Sequence, residues 1–353
     1  MLEAREACWG AAGRNGGHCL PHVFNREPHI PRFELATFEF LQDLVAANDI
    51  PCAWRTVGCV RGLTSPEAVE AALVTDKAGL ETNRVLALAG AVFQSDAAKC
   101  WAYKLVCWLL EDHLQGHPAD EFNLQTNTPV TQLRRAESSW TLDTPRGQIT
   151  ANQVLIAKNA YTSRLLARFT DCIVPVRGQI CALEAPEDAR PLEHTYVWVR
   201  GDVDGYLIQR DGGLLILGGE RLGGDKGVSR DDEVDARVGR RLRRVLASAV
   251  KLKPHGRREN EELVAAWEWT GIMGYSRDGH PWVGPVPERL GGGPGLWVCA
   301  GYSRCGMPVA PRCALAVAEM MLGRDGHVHV PTDFIVSEER LDICLVAHMA
   351  GKT

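Results

Sequence analysis

Two glycine-rich segments carry the residues whose types and spacing could do chemistry. The first, residues 2–19, reads LEAREACWGAAGRNGGHC. Near its start, Glu3 has the position of an acidic residue at the end of an apolar strand. Dinucleotide-binding folds use such an acid to hold a pair of ribose hydroxyls. Gly13, Gly16 and Gly17 lack a Cβ, so their backbone can approach a ligand closely. A surface turn without a ligand is the alternative interpretation, and the sequence leaves both open.

The second segment, residues 295–323, reads GLWVCAGYSRCGMPVAPRCALAVAEMMLG. Its pattern predicts a strand, a glycine-containing turn and a helix. Such a turn aims backbone N–H groups and the positive end of a helix at a negatively charged ligand atom. A plain connection between a strand and a helix is the alternative here.

Together these segments resemble the family of FAD-dependent oxidoreductases that includes D-amino-acid oxidase and sarcosine oxidase. The resemblance covers nearly the whole chain, and its pieces come in the family's order. They are the acid-ended strand with the GRNGGH loop, TNTPVTQL with LIAKNAYTS, VPVRGQ, GIMGYSRDGHPWVGP, and LWVCAGYS with CGMPVAPR. Each piece alone is only modestly specific, but five pieces in the family's order make a chance match improbable. The resemblance implies FAD as the cofactor.

The resemblance also implies which residues contact that cofactor. Glu3 would bind the adenosine ribose, while Arg5 and the backbone of Val130 would lie beside the adenine. Asn159 would approach the pyrophosphate. The flavin ring would be flanked by Gly301, Tyr302, Ser303, Gly306 and Met307, in front of a helix that stabilises negative charge. The cofactor-binding residues expected in this way are Glu3, Arg5, Arg14, Asn15, Gly16, Gly17, Val130, Asn159, Gly301, Tyr302, Ser303, Gly306 and Met307.

The family's chemistry makes few demands on the protein's side chains. Hydride leaves the carbon next to an amine for the flavin, and O2 or another electron acceptor reoxidises the flavin, so no catalytic acid or base is obligatory. Trp198, Tyr206 and Gln209 lie on strands that would wall the substrate side. Simple packing within a sheet explains these three residues at least as well.

The segment GIMGYSRDGHPWVG bears on the substrate. Amino-acid oxidases of the family place an arginine that binds the substrate carboxylate two residues after the Gly of a W-x-G pattern. Here Gly271 is followed at that distance by Met273. The resemblance therefore favours a small amine without an obligatory carboxylate. His280 and Trp282 are expected to fix a turn near the flavin and not to act as bases.

Departures from the family concern the cofactor positions. The family begins with a strand, a GxGxxG turn and a helix about thirty residues before the ribose acid. This sequence starts two residues before Glu3 and has no GxGxxG elsewhere, so the first βα unit is expected to be missing. Arg304 and Cys305 replace a common Gly-His pair, and an L-residue with positive φ costs roughly 1–2 kcal/mol. Lys158 replaces a small Thr and would either disturb the fold locally or pair with a phosphate.

These departures keep two functions open. The first is an FAD-dependent oxidoreductase that oxidises a C–N bond of a small amine or amino-acid-like substrate by hydride transfer to flavin. The second is a catalytically impaired relative that has lost its pyrophosphate loop and serves as a binding or interaction module. Added FAD would distinguish them, because only the first requires the cofactor.

The elements around the motifs are predicted from periodicity. Amphipathic helices are expected at 32–47, 98–114, 231–252 and 308–322, the third with acids in its first turn and basic residues towards its end. Alternation after residue 122 predicts an antiparallel meander that leads to a buried strand at 154–157.

Strands and helices interleave along the chain, which predicts an α/β (α+β) fold with discontinuous domains. One is a Rossmann-like FAD-binding domain lacking its first βα unit, and the other is a substrate domain with a mixed or antiparallel sheet. The expected bounds are 1–45, 122–168 and 265–330 for the FAD-binding domain, 46–121 and 169–264 for the substrate domain, and 331–353 for a C-terminal tail.

Composition is that of a soluble globular protein. The 353 residues include 39 Lys and Arg, 44 Asp and Glu, and 45% apolar residues. This slightly acidic balance without a long basic run argues against nucleic-acid binding, and no apolar stretch is long enough to predict a membrane span. The N-terminus lacks the apolar core of a secretory signal, so a cytoplasmic location is expected. Twelve cysteines without a CxxC pair predict reduced core thiols and no metal site.

Overall fold

The computed structural model of the chain describes residues 1–23, 27–63, 84–86, 90–200, 203–324 and 326–349. The α-helices in these ranges are α1 (Ala11–Arg14), α2 (His29–Ala47), α3 (Ala102–Gly116), α4 (Ala236–Ala249), α5 (Ala310–Met321) and α6 (Glu338–Met349). The strands are β1 (His18–Cys19), β2 (Arg55–Thr56), β3 (Cys59–Leu63), β4 (Gly90–Gln94), β5 (Ala98–Lys99), β6 (Gln132–Arg135), β7 (Trp140–Thr144), β8 (Gly147–Ala151), β9 (Val154–Ile156), β10 (Ile173–Leu183), β11 (Thr195–Arg200), β12 (Val203–Gln209), β13 (Leu215–Gly219), β14 (Ala265–Ser276), β15 (Trp282–Pro285) and β16 (Leu296–Ala300).

The largest sheet in the described ranges has the strand order β14-β10-β13-β12-β11-β3-β4. Strands β11 and β3 pair in parallel, and the other neighbouring strands pair antiparallel. The long pair β10 and β14 keeps one register from Ile173 opposite Ser276 to Ala182 opposite Trp267, and the register shifts before Leu183 opposite Ala265. This mixed sheet, flanked by helices, agrees with the predicted α/β class.

Side chains of successive residues in a strand point to opposite faces, so this sheet has two different surfaces. We call the surface that packs against α4 the back face; it includes Leu183, Trp198, Leu207 and Leu217, which cluster with Leu242 of the helix. We call the other surface the front face, where apolar residues cluster with two aromatic side chains. The front-face cluster consists of Ile180, Ala182, Ile208, Ile216, Tyr206 and Trp269.

Helix α4 is shorter than the predicted helix at 231–252. It begins after Asp235, whose side chain caps it by accepting a hydrogen bond from the N–H of Arg237 at 2.8 Å. The preceding acids are therefore outside the first turn, where Asp231 and Glu233 pair with arginines instead. No basic residue occupies the last turn. The expected match of charges to the helix dipole was wrong, because a good N-cap sets the start of the helix.

Three smaller sheets follow from local pairing. Strands β6, β7 and β8 form the predicted antiparallel meander. Strand β9 pairs in parallel with β16, which confirms the buried strand expected at 154–157. Strand β5 lies between β1 and β2. Ala98 and Lys99 therefore belong to a strand, and the helix predicted at 98–114 begins only at Ala102.

The remaining helices differ from prediction mainly at their ends. Helix α2 begins at His29 and places Pro31 in its first turn, where the N–H that proline lacks would have no helical partner. Helix α6 occupies much of the segment expected to be a tail, and its Leu341 and Cys344 are buried beside β15 and β16. The predicted domain segment 46–121 includes residues 64–83 and 87–89, which lie outside the described residues.

Within the described residues, no helix combines the length and the apolar character needed to cross a membrane. All twelve cysteines lie in the described ranges and are free thiols, and nine of them are buried. Among the same residues, no three His, Cys, Asp or Glu side chains are gathered in a way that would hold a metal ion.

Candidate functional site

The N-terminal glycine-rich loop lies on the front face. The indole Nε1 of Trp269 donates a hydrogen bond to the backbone oxygen of Arg14 at 2.7 Å. A Cβ on Gly271 would lie 3.4 Å from the Cβ of Arg14. The loop therefore packs on the strand at Gly271, and the close approach expected of its glycines is made to the sheet, where a Cβ on Gly16 would lie 2.5 Å from the Tyr206 hydroxyl.

Tyr206 of β12 and Arg210, which follows that strand, bind both backbone polar groups of Gly16. The N–H of Gly16 donates to the Tyr206 hydroxyl at 3.2 Å, and Nη2 of Arg210 donates to the Gly16 oxygen at 3.1 Å. Arg210 also donates to the backbone oxygen of Cys100. Gly17 follows with φ +81°, and a Cβ there would meet that same oxygen. The sequence motif predicted the glycines, but it did not indicate Arg210.

Asn15 and Arg14 stabilise the loop from within. The side-chain oxygen of Asn15 accepts from the N–H of Gly17 at 2.7 Å, and its amide nitrogen donates to the Ala12 oxygen at 2.7 Å. The Arg14 guanidinium donates to the backbone oxygens of Asp231 and Thr270. It therefore points towards the residues that precede α4, and no motif had indicated a partner there.

The turn between β16 and α5 is the second part of the site. Gly301, Ser303 and Arg304 have φ of +82°, +46° and +68°. The positive φ of Arg304 agrees with the expectation that this position is suited to glycine. Helix α5 follows from Ala310. The predicted succession of strand, glycine turn and helix is confirmed, and the helix directs its N-terminus towards this turn.

Neighbouring elements hold the turn in place. The side-chain oxygen of Asn159 accepts from the N–H of Gly301 at 2.9 Å. The N–H of Ser303 donates to the Gly274 oxygen at 2.9 Å, and the Ser303 hydroxyl accepts from the N–H of Ser276 at 3.0 Å. The Asn159 side chain therefore connects the end of β9 to the turn, a contact that the expected pyrophosphate role did not include.

Two residues of the turn direct their side chains away from it. The Tyr302 hydroxyl lies 3.0 Å from Sγ of Cys299, in a cluster that also contains Cys313, and burial raises its pKa well above the ordinary value. Met307 packs against the core formed around β1, β5 and α2. Only the backbone of these two positions is therefore available to a ligand at the turn. A Cβ on Gly306 would meet open space.

Glu3 and Arg5 lie at the other end of the candidate cofactor site. A Glu3 carboxylate oxygen accepts from the N–H of Arg5 at 2.9 Å. The Arg5 guanidinium makes two hydrogen bonds of 2.9 Å to Asp231, so it is committed to an ion pair that the sequence did not reveal. Burial lowers the pKa of Lys158, with Arg164 acting in the same direction and Glu3 in the opposite one.

Val130 lies near this end of the site and packs against the core formed around β9, β15 and β16. Its backbone makes no hydrogen bond to another residue in the described ranges. This leaves its N–H and C=O available, as the expected contact with an adenine requires.

The three substrate-side candidates lie in different surroundings. Tyr206 lies on the front face beside Gly218, where burial raises its pKa to about 12. Trp198 is on the back face, fully buried, and donates to Glu220 at 3.1 Å. The Gln209 side chain accepts from the N–H of Leu192 and donates to the Gly213 oxygen. Packing within the sheet therefore describes Trp198 and Gln209, and Tyr206 alone faces the loop.

The turn at 276–282 is fixed by a network centred on Asp278. Its carboxylate accepts from the Ser276 hydroxyl at 2.6 Å and from the N–H of His280 at 3.1 Å. The Trp282 indole is buried and donates to the same hydroxyl at 2.8 Å. His280 and Trp282 thus belong to a structural turn, as expected, and Arg340 of α6 pairs with Asp278 at 2.8 Å.

The geometry defines a class of protein: an α/β fold in which a glycine-rich loop and a glycine turn before a helix are both held by β14, the edge strand of a large mixed sheet. The sequence model of the family of FAD dependent oxidoreductases (DAO) matches residues 1–320. The chain belongs to this family.

The sequence relatives of this chain include glycine oxidases. The chain is 32% identical over 198 residues to glycine oxidase from Geobacillus kaustophilus and 31% identical over 186 residues to the one from Pseudomonas aeruginosa. These matches cover 55% and 52% of this chain. They span about half the length of the curated relatives, at 47% and 45%.

Solved structures show the same fold. The crystal structure of glycine oxidase from Geobacillus kaustophilus superposes with a TM-score of 0.78 and 24% identity, covering 95% of this chain and 90% of that one. L-proline dehydrogenase from P. horikoshii gives a TM-score of 0.74 with 17% identity, covering 92% and 87%. At these identities the comparison establishes the fold.

Proposed function

We propose that this chain is an FAD-dependent oxidoreductase that oxidises a C–N bond of a small amine or amino-acid-like substrate. The observation that carries the proposal is that β14 holds both glycine segments: its Trp269 binds the N-terminal loop at Arg14, and the backbone of its Gly274 and Ser276 binds the 301–307 turn at Ser303. Family membership and the glycine oxidase relatives support it. The electron acceptor would be O2 or another oxidant.

The residues present fit FAD at several points. Gly301 and Gly306 leave two positions of the turn without a side chain, and α5 presents its N-terminus behind the turn, a favourable place for negative charge. The Val130 backbone is open for an adenine, and one Glu3 oxygen accepts no recorded bond from another described residue. Glu3, Val130 and the turn would therefore hold the cofactor.

Bound FAD would supply the acceptor for the hydride that leaves the carbon beside the amine. The chain's own residues would position the reactants. Tyr206 and Met273 would cover the substrate from the sheet and exclude water, while Asn159 and Ser303 keep the turn in place. The ammonium form of the substrate can lose its proton to solvent before the neutral amine binds, so this arrangement needs no catalytic base.

The first test is the near-ultraviolet and visible absorption spectrum of the purified chain, with and without added FAD. A bound-flavin spectrum followed by oxidation of amines or glycine supports the proposal. A colourless chain that takes up no FAD would contradict it and favour the binding-module alternative.

The assignment of Glu3 has its own variant. Glu3→Ala should weaken FAD binding by about tenfold or more, because hydrogen bonds to a charged group contribute about 1.5–3 kcal/mol. Glu6→Ala, an exposed acid in the same segment, is the matched control and should leave the affinity unchanged. Equal affinities for the two variants would remove Glu3 from the site.

A further inference from the structure

The front face lacks a cation at the position where the family's amino-acid oxidases bind a carboxylate. Trp269, Gly271, Met273 and Tyr275 share that face of β14 by alternation. None of them is charged. The methyl group of Met273 lies over Gly178 of the neighbouring strand, 2.8 Å from where a Cβ would be. A positive charge for an anion on this face must therefore come from other elements.

Two arginines meet beside this position at one carboxylate. Nη2 of Arg221, just after β13, lies 2.6 Å from Oδ1 of Asp204, and Nη1 of Arg304, in the turn before α5, lies 2.6 Å from its Oδ2. Asp204 is on β12, two residues before Tyr206 and on the same face. The side chains of Asp204 and Arg221 are 25% and 21% exposed. The cluster therefore joins the large sheet to the turn and stays open to a small solute.

This cluster has more positive charge than its own carboxylate neutralises. Two guanidinium groups share the single negative charge of Asp204. A guanidinium has five N–H donors, and each arginine has one recorded bond to Asp204 among the described residues. Arg61 on β3 adds a third cation nearby; burial lowers its pKa, and the charge of Arg304 does so further. The N–H donors of Arg221 and Arg304 that do not contact Asp204 favour an anion.

Tyr275 supplies an uncharged donor at the same place. Its hydroxyl is buried and has no hydrogen-bond partner among the described residues. Its ring lies 5.8 Å from Cζ of Arg221, and its backbone bridges that of Tyr302, two residues before Arg304. A buried hydroxyl without a partner is unfavourable, so an acceptor bound between the two arginines would satisfy it.

Resting on the proposed function, we propose that Arg221 and Arg304, held by Asp204, bind the carboxylate of an amino-acid substrate. Planar guanidinium groups match a carboxylate with paired hydrogen bonds. The site would thus replace the missing arginine at position 273 with two residues from outside β14. It reverses the expectation of a substrate without a carboxylate.

Binding of acetate tests the site without turnover. Calorimetric titration of the full chain should show binding of acetate and none of acetamide, which lacks the charge. Arg221→Met and Arg304→Met should each weaken acetate binding by about tenfold or more. Arg134→Met removes a comparable arginine that pairs with Asp143 on the meander and is 48% exposed; it should change binding by less than about twofold. Equal binding in all variants, or none in the natural chain, would overturn the proposal.

Turnover separates this proposal from the proposed function. With the FAD-loaded chain, the ratio of kcat/KM for glycine to kcat/KM for methylamine should fall about tenfold or more in the two Met variants. Arg304→Lys, which keeps the charge, should recover part of the loss. Oxidation of methylamine and glycine with equal insensitivity to both arginines would overturn the carboxylate site and leave the proposed function standing. Arginine-dependent acetate binding without any oxidation would do the reverse.

Discussion

The two faces of the large sheet come from the same strands and differ in almost every physical property. The back face is apolar and closed by α4, with residues such as Leu207, Leu217 and Leu242 fully buried. The front face carries glycines, tyrosines and charged groups beside its smaller apolar cluster. One face therefore supplies most of the stabilising burial, which lets the other retain groups chosen for contact with ligands.

The two faces differ in whether the buried polar groups described here have hydrogen-bond partners. Glu220, 6% exposed, accepts a hydrogen bond from the Trp198 indole at 3.1 Å and another from Arg241 at 3.1 Å, so this buried carboxylate is satisfied. On the front face the Tyr275 hydroxyl is buried without a partner among the described residues. Buried polar groups are usually paired, so this contrast supports the proposal that a ligand binds at the front face.

The largest effect is expected from the back face. Leu242→Ala removes a fully buried side chain from the contact between α4 and the sheet, and such changes cost about 2–5 kcal/mol. We expect the free energy of unfolding in urea to fall by that amount. Leu315→Ala, at a position 39% exposed on α5, is the control and should cost much less. Similar losses for the two variants would contradict the assignment of the main core to the back face.

Much of this core could be predicted because burial leaves a periodic signal. The strands around Val154, Leu217 and Val298 follow continuous apolar runs, and the meander follows alternation, so their existence was predictable. Element ends were less predictable. Ala98 and Lys99 continue a helical pattern but are taken by pairing with β1 and β2, and Asp235 rather than the earlier acids starts α4. Both outcomes depend on tertiary contacts or caps that periodicity does not contain.

A smaller effect is expected where the front face meets the N-terminal loop. Gly218→Ala would place a Cβ 2.4 Å from the Tyr206 ring, and such overpacking costs about 1–3 kcal/mol. Displacement of Tyr206 should also release the N–H of Gly16, so FAD uptake should fall together with stability. Gly212→Ala, where a Cβ meets nothing within 4 Å, should leave both unchanged. Unchanged stability and FAD uptake in Gly218→Ala would show that Tyr206 is not needed to hold the loop.

The candidate site was predictable only where it is local in sequence. The glycines of the loop and the turn were found because a motif requires their backbone, and the positive φ of Arg304 agrees with the expected cost at that position. No sequence motif indicated a role for Arg210, Asp231 or Asp204. Their partners lie far away in the chain, as in the pairs Arg210 with Gly16 and Asp204 with Arg304. Long-range ion pairs have no spacing rule, so they emerge only from the fold.

The most gradual effect is a dependence on pH through His18 at the edge of the front face. Its Nε2 lies 2.9 Å from the Thr195 hydroxyl, which itself donates to the Gly58 oxygen, so Nε2 carries the proton and donates. Burial, with the charge of Arg61, lowers the pKa of His18 to about 3. The unfolded chain, with a histidine pKa near 6.5, binds a proton between these values that the folded chain does not bind.

Stability contributed by neutral His18 is therefore present above about pH 6.5 and is lost as the pH falls towards 3. Relative to His18→Gln, which keeps a donor for Thr195, the natural chain should lose up to about 1.4 kcal/mol per pH unit in this window. Denaturation in urea at a series of pH values measures the difference. His255→Gln, at an exposed position, controls for the loss of any histidine. If the natural chain and His18→Gln have parallel pH profiles, His18 titrates normally in the folded chain, and the front face at this edge is open to water rather than closed by the loop.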